Sequence, residues 1–163
     1  YVLLLAKRLR MLNKELKIVV CGGYYNSKMI AEIVNKYNIN NIEFLGFIYN
    51  LKDLMKICKI LFYPSRIDVL PMSILEAMAN GLIVVSNDVG CISDYIIDRT
   101  TGFLFNLKRD SLEKVTLLVL NAIHLKENER RRNKNPVKKF IKEKEYIDYA
   151  LYIKFRKKIK GIR

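Results

Sequence analysis

The sequence predicts an α/β fold: a three-layer, Rossmann-like parallel sheet with helices on both faces. Short, continuously apolar segments alternate with amphipathic segments over the first 125 residues. Strands that consist of unbroken apolar runs are typical of parallel sheets that are buried on both faces. The chain has 163 residues, of which 51% are hydrophobic, so it can form one folded domain with a substantial core.

Five short segments are predicted as strands, because each is apolar or β-branched and stops at a turn residue. These strands are Lys17–Cys21, Ile42–Leu45, Ile60–Tyr63, Ile83–Ser86 and Gly102–Phe105. Between them, apolar residues recur at helical spacing. The predicted helices cover residues 1–14, 28–37, 51–58, 72–79, 93–97 and 110–125. We expect Asp110 or Ser111 to cap the last of these helices.

Positive charge is concentrated at the end of the chain. The formal net charge is +14, and residues 126–163 contribute +10 of it through 15 basic and 5 acidic residues. We therefore divide the chain into a domain of residues 1–125 and a basic C-terminal tail of residues 126–163. Apolar residues between Val137 and Lys160 predict a terminal helix in that tail. Such a charge favours an anionic neighbour, and a solvated lysine-rich face is the alternative.

Composition argues against several classes of protein. Cys21, Cys58 and Cys91 stand far apart, which favours a reduced interior over a disulfide framework. His124 is the single histidine, so the sequence supports neither a histidine-based zinc site nor a Ser-His-Asp triad. Neither a bilayer-spanning apolar run nor a signal peptide is visible. We expect a cytoplasmic protein whose tail allows peripheral binding at the inner face of the membrane.

The segment 63–81, YPSRIDVLPMSILEAMANG, carries the strongest functional pattern. A buried strand runs into a polar loop, and a helix follows with Glu76 in its second turn. Because proline favours the first helical position, we predict that this helix opens at Pro71 with Leu70 as its cap. The competing interpretation is a capping box made by Ser73 and Glu76. Ligands bind at the carboxyl ends of strands in open α/β sheets, so this loop and helix form the predicted site.

This segment resembles the nucleotide-sugar signature of family 4 glycosyltransferases, which has two acidic residues separated by seven others. The corresponding pair here is Asp68 and Glu76. The resemblance implies that Glu76 binds the ribose of a nucleotide-diphospho-sugar donor, and that Asp68 is the catalytic residue beside the donor sugar. The family usually has glutamate at the first position. Aspartate shortens the reach of that carboxylate by about 1.5 Å, one C–C bond.

Other positions are assigned to the donor site by the same resemblance. They are Gly22, Phe47, Ile48, Leu70, Pro71, Met72 and Leu75. Gly22 would let the backbone approach the donor, while the turn at Phe47 would meet the nucleobase. On the residues alone, these glycine-containing turns indicate only tight ends of strands. The match is weaker over residues 87–94, where Cys91 stands in place of a glycine and Asp94 in place of a glutamate.

The resemblance covers residues 1 to about 125 and implies the donor-binding half of a retaining GT-B glycosyltransferase without a metal cofactor. It also implies that an N-terminal acceptor domain and the first strand of this domain are missing. The first residue, Tyr1, is not methionine, which also suggests a fragment. We therefore expect the chain to be inactive alone. The missing strand belongs between Lys17–Cys21 and Ile60–Tyr63, so we expect direct contact or an open seam there.

Two other functions stay open. The chain could be a non-catalytic binding module whose basic tail engages a membrane or another anionic partner. Nucleic acid is disfavoured as that partner, because neither an RNA-binding aromatic motif nor a helix-turn-helix pattern is visible. Membrane binding is compatible with the glycosyltransferase function, since many such enzymes use lipid-linked acceptors in polysaccharide or glycolipid biosynthesis. A nucleotide-sugar epimerase shares the architecture, but its acid and histidine pattern is not visible.

Overall fold

The described part of the chain is a six-stranded sheet with helices packed on both faces. The structure is a computed structural model that describes residues 1–12, 15–22, 27–125 and 150–155. The strands are β1 Leu16–Cys21, β2 Ile42–Gly46, β3 Cys58–Tyr63, β4 Ile83–Asn87, β5 Gly102–Phe105 and β6 Ala150–Phe155. The helices are α1 Val2–Leu12, α2 Ser27–Lys36, α3 Leu51–Ile57, α4 Met72–Ala79, α5 Ile92–Tyr95 and α6 Leu112–His124.

The strands follow the order β2-β1-β6-β3-β4-β5 across the sheet. β1 to β5 all run parallel, whereas β6 runs antiparallel to both of its neighbours. Without β6, the parallel strands have the order β2-β1-β3-β4-β5, which is the order of a doubly wound sheet that lacks its first strand. The prediction of an α/β fold built on a parallel sheet is therefore confirmed.

The central strand comes from the predicted C-terminal tail, and two predictions are wrong here. Ala150–Phe155 is a strand instead of part of a helix, and it separates β1 from β3 instead of leaving contact or a seam. The facing edges of β1 and β3 carry buried backbone groups that need hydrogen-bond partners. Ile153 pairs with Ile18 on one side and with Ile60 on the other. The remainder of the tail lies outside the described residues.

Both faces of the sheet are buried, as the apolar runs predict. Alternate residues of β3 enter different clusters: Ile60 and Phe62 pack with α1 and α6, while Leu61 and Tyr63 pack with α3 and α4. Phe62 is fully buried and stacks on Phe105, with ring centroids 5.4 Å apart. This packing makes the sheet a rigid base for the loops at its carboxyl edge.

Ser111 caps α6, which selects one of the two predicted caps. Its hydroxyl accepts a hydrogen bond from the Lys114 backbone N–H at 3.2 Å. We expect Ser111→Ala to lower the free energy of unfolding by about 1 kcal/mol, because a backbone donor loses its partner. Denaturant titration measures this, with Ser111→Asp as the control that keeps an acceptor. Equal stability of the alanine variant and the wild type would contradict this role of the hydroxyl.

Candidate functional site

The turns that follow β1 and β2 lie side by side at the carboxyl edge of the sheet. The Gly22 backbone N–H donates to the Gly46 carbonyl oxygen at 2.7 Å. Both glycines have positive φ angles, +91° and +64°, which residues other than glycine rarely adopt. This hydrogen bond brings the predicted backbone site at Gly22 next to the turn that leads into Phe47.

Asp68 lies in the loop between β3 and α4 and is held there by the sheet. The hydroxyl of Tyr63, a buried residue at the end of β3, donates to the Asp68 carboxylate. On the other side, Gly90 packs against the loop backbone. A Cβ atom at Gly90 would lie 2.1 Å from the Asp68 carbonyl oxygen and 2.8 Å from that of Val69. Tyr63 thus holds the Asp68 carboxylate, while Gly90 packs against the backbone of the loop that carries it.

α4 begins one residue later than predicted. Pro71 is the N-cap, with an extended ψ of 102°, and Met72 is the first helical residue, so Leu70 is not the cap. Ser73 is fully buried inside the first turn, and its hydroxyl has no partner among the described residues. Because no side chain caps α4, the capping-box interpretation of Ser73 and Glu76 is wrong. The backbone nitrogen of Pro71 carries no hydrogen, so Pro71 leaves no hydrogen-bond donor without a partner at the N-cap.

Glu76 lies in the second turn of α4, as the sequence predicts, and is half-buried. Burial raises the pKa of its carboxyl group. Within the described part of the chain, neither a hydrogen-bond donor nor a cation pairs with this carboxylate. Half-burial removes part of the hydration of the charged carboxylate, and hydrogen bonds from a ligand would replace it. The structure therefore leaves both carboxylate oxygens available to a ligand with hydroxyl donors.

The other positions predicted to bind the donor differ in how far their side chains are exposed to solvent. Phe47 and Leu70 are 62% and 48% exposed, while Leu75 and Pro71 are buried. Met72 and Ile48 are partly buried against the apolar cluster beneath α3 and α4. Leu75 thus packs in the core, whereas the exposed positions surround the carboxyl edge.

Asn87 organises this edge, although the sequence alone did not predict a role for it. Its side chain donates to the Ser65 carbonyl oxygen at 2.6 Å and accepts from the Leu107 backbone N–H at 2.9 Å. It thereby links the loops that follow β3 and β5. A polar residue that closes the apolar run of β4 was the available sequence signal, but the partners lie 22 and 20 residues away.

A cavity of about 440 Å³ opens beside Asn87, and Arg66, Asp88 and Lys108 are among its lining residues. A second cavity of about 350 Å³ adjoins it, since both are lined by Tyr1, Arg66 and Leu107. The Arg66 and Lys108 side chains can bind an anion such as a phosphate at this edge. In the described ranges, we find no group of three His, Cys, Asp or Glu side chains that could hold a metal ion.

Tyr95 is a second residue near the site that the sequence alone did not predict. Its hydroxyl is buried and has no hydrogen-bond partner among the described residues. Burial, together with the nearby Cys91, Asp68 and Asp94, raises the pKa of this phenol. Tyr95 therefore stays neutral near Asp68 and can donate a hydrogen bond.

The parallel strand order and the polar loops at its carboxyl edge define a Rossmann-like domain of the kind found in GT-B glycosyltransferases. Comparison with known proteins agrees with this class. The sequence pattern of the family "Glycosyl transferases group 1" matches residues 1–139, and the chain belongs to that family.

One relative and two solved structures illustrate the similarity. The chain is 32% identical over 109 residues to the uncharacterized glycosyltransferase MJ1178 of Methanocaldococcus jannaschii, covering 64% of this chain and 30% of that protein. It resembles the crystal structure of TarM with a TM-score of 0.68 and 20% identity over 85% of this chain and 28% of that one. For Anabaena Alr3699/HepE in complex with UDP, the TM-score is 0.69 and the identity 17%, over 84% and 40% of the two chains. The chain thus spans less than half of each.

Proposed function

We propose that this chain is the donor-binding domain of a retaining, family 4 glycosyltransferase, and that it binds a nucleotide-diphospho-sugar at the carboxyl edge of its sheet. The observation that carries the proposal is Glu76: a half-buried carboxylate with a raised pKa and no partner in the described part of the chain. Two vicinal hydroxyls of a ribose would supply the donors that this carboxylate lacks. Family membership supports a sugar nucleotide as the ligand.

Several similar structures support a uridine nucleotide as the donor. Alr3699/HepE has been solved with UDP and with UDP-glucose, and the pneumococcal O-GlcNAc transferase GtfA with UDP and GlcNAc. The identities lie between 17% and 21%, so these structures support the fold directly and the ligand by analogy.

Each residue of the site has a role in this proposal. Glu76 binds the ribose, and Asp68, oriented by Tyr63, approaches the donor sugar as the catalytic carboxylate. The first backbone N–H groups of α4, around Met72, face the sugar or phosphate. Arg66 can neutralise the diphosphate, which carries the negative charge that develops as the sugar leaves. No metal is needed in this scheme, because protein groups supply the positive charge.

The remaining donor contacts come from the neighbouring turns. The backbone at Gly22 approaches the donor, and the turn through Phe47 and Ile48 meets the nucleobase. Leu70 and Pro71 shape the entrance to α4, and Leu75 supports it from the core. Sugar transfer also requires an acceptor-binding domain facing this edge, so we expect the chain alone to bind donor without transferring the sugar.

Isothermal titration with UDP, GDP, ADP and UDP-glucose tests the proposal. We expect saturable binding of at least one nucleotide diphosphate, with a preference that identifies the base. Nucleoside monophosphates serve as the comparison, because loss of the outer phosphate should weaken binding if Arg66 and the amides around Met72 contact it. Failure of all these nucleotides to bind would refute the donor-binding function.

A second candidate function is membrane association through the basic tail, favoured by the +10 charge of residues 126–163. None of the described helices has the length and apolar character needed to cross a bilayer. We expect vesicles that contain acidic lipid to retain the protein at low salt and to release it at high salt, because salt screens surface charges. Vesicle co-sedimentation measures this, with neutral-lipid vesicles as the control. Retention that survives high salt would contradict an electrostatic mechanism.

A further inference from the structure

The centre of the sheet is occupied by a strand from the far end of the chain. β6 pairs with β1 from Leu16–Phe155 to Cys21–Ala150, and with β3 from Cys58–Lys154 to Phe62–Leu151. Because β6 is antiparallel, it enters the sheet at the carboxyl edge, where Ala150 lies opposite Cys21. It leaves at the other edge, where Phe155 lies opposite Leu16. We call the position between β1 and β3 the strand slot.

The strand slot is flanked by buried residues of β1 and β3. Ile18, Val19, Ile60 and Leu61 on its two walls are fully buried. If the slot were empty, two rows of backbone N–H and C=O groups would lose their partners inside the core. Unpaired edges of this kind either collapse onto each other or recruit another strand. The strand slot therefore requires an extended segment that forms backbone hydrogen bonds with both β1 and β3.

We propose that the chain completes its own donor-binding domain by inserting residues 150–155 into the strand slot, and that donor binding depends on this insertion. The dependence rests on the proposed function. It follows from geometry, because β1 ends at the Gly22 turn and β3 ends at Tyr63, which holds Asp68. The occupant of the slot sets the distance between these two parts of the site.

The size of the effect follows from strand spacing. Neighbouring strands lie about 4.8 Å apart, so β1 and β3 are separated by about 10 Å with β6 in place and by about 5 Å if they meet directly. A displacement of about 5 Å exceeds the tolerance of any hydrogen bond. A ligand that contacts both the Gly22 turn and the loop of Asp68 cannot be bound in the same way in the two arrangements.

A native cysteine allows the insertion to be tested in the 163-residue chain. Cys21 lies opposite Ala150, in a run of residue pairs between β1 and β6 that has no register shift. Directly opposed residues in antiparallel strands have Cα atoms about 4.5–5.5 Å apart, within the range of a disulfide. In a Cys91→Ser background, Ala150→Cys should form an intramolecular disulfide with Cys21 on mild oxidation, as shown by intact mass and thiol counting.

The matched control for cross-linking is Leu151→Cys, which lies opposite Val20 and Phe62. It should form no intramolecular disulfide under the same conditions. If Ala150→Cys forms an intramolecular disulfide no more efficiently than Leu151→Cys, the proposed insertion of β6 is wrong. Disulfide-linked dimers instead of monomers would overturn self-completion, because they would show that the strand is exchanged between two copies.

Dependence of donor binding on the strand is tested with Ile153, which pairs with both walls of the slot. Ile153→Pro removes a ladder donor and should reduce the affinity for nucleotide diphosphate at least tenfold, whereas Ile153→Val should keep it. Since the proline variant could fail to fold, the oxidised and reduced forms of Ala150→Cys give a second measurement. The oxidised form should retain nucleotide binding to higher urea concentration.

Donor binding does not depend on β6 if a folded Ile153→Pro variant binds nucleotide with wild-type affinity. The same conclusion follows if the oxidised and reduced forms of Ala150→Cys lose nucleotide binding at the same urea concentration. If the wild-type protein binds no nucleotide, the proposed function and the dependence both fail. The cross-link would then still establish that the chain fills its own sheet, so the two failures are distinguishable.

Discussion

Glu76→Gln is expected to weaken the binding of a nucleotide diphosphate by about 1–3 kcal/mol, the usual range for a hydrogen bond to a charged group. Glutamine has nearly the same shape but carries no charge and offers one acceptor oxygen instead of two. Because the carboxylate has no partner in the described part of the chain, its loss should leave the fold intact. Calorimetric titration of the variant and the wild type measures the difference.

The pH dependence of stability gives an independent test of the environment of Glu76. Burial raises the pKa of this carboxyl above its ordinary value of 4.5, so the folded protein favours the protonated form. The contribution of the protonated Glu76 carboxyl to stability is fully present below pH 4.5. It is lost as pH rises through the pKa that this group has in the folded protein. Glu76→Gln lacks this titration, so its stability relative to the wild type should increase as pH rises above 4.5.

The control for the binding experiment is Glu32→Gln, which makes the same chemical change at an exposed position of α2. It should leave the nucleotide affinity unchanged. A Glu76→Gln variant with wild-type affinity and a lower melting temperature would instead assign Glu76 a purely structural role.

Gly90→Ala is expected to destabilise the protein by about 2–5 kcal/mol. Gly90 has a φ of +60°, where an alanine loses about 1–2 kcal/mol. The added Cβ would also lie 2.1 Å from the Asp68 carbonyl oxygen, and overpacking of this kind adds about 1–3 kcal/mol. The loop that carries Asp68 has to move, so nucleotide-sugar binding should weaken together with stability. Denaturant titration and calorimetry measure the two effects.

Gly46→Ala separates the contributions of conformation and contact. Gly46 has a similar φ of +64°, but a Cβ there would meet no atom within 4 Å. This variant should lose only the conformational part, about 1–2 kcal/mol. Equal destabilisation of the two variants would show that the contact between Gly90 and the Asp68 loop carries no energy.

The parallel domain was predictable because its signals are local. Each strand from β1 to β5 is a short apolar run that stops at a turn residue, and burial on both faces requires that composition. The second-turn position of Glu76 followed from its distance to Pro71, although the helix began at Met72. The contact between Gly90 and Asp68 was not predictable, because the two residues meet only when the loops after β3 and β4 are packed together.

The amino-acid sequence by itself thus determined the five parallel strands, their helices and an acidic residue in the helix after β3. Tertiary structure alone decided the sixth strand. Residues 150–155 contain Leu151 and Phe155, whose spacing fits a helix, yet the same six residues are largely aromatic, branched or otherwise apolar and suit a strand equally well. The facing edges of β1 and β3 resolve this ambiguity, because an extended segment can satisfy the buried backbone groups of both edges and a helix cannot.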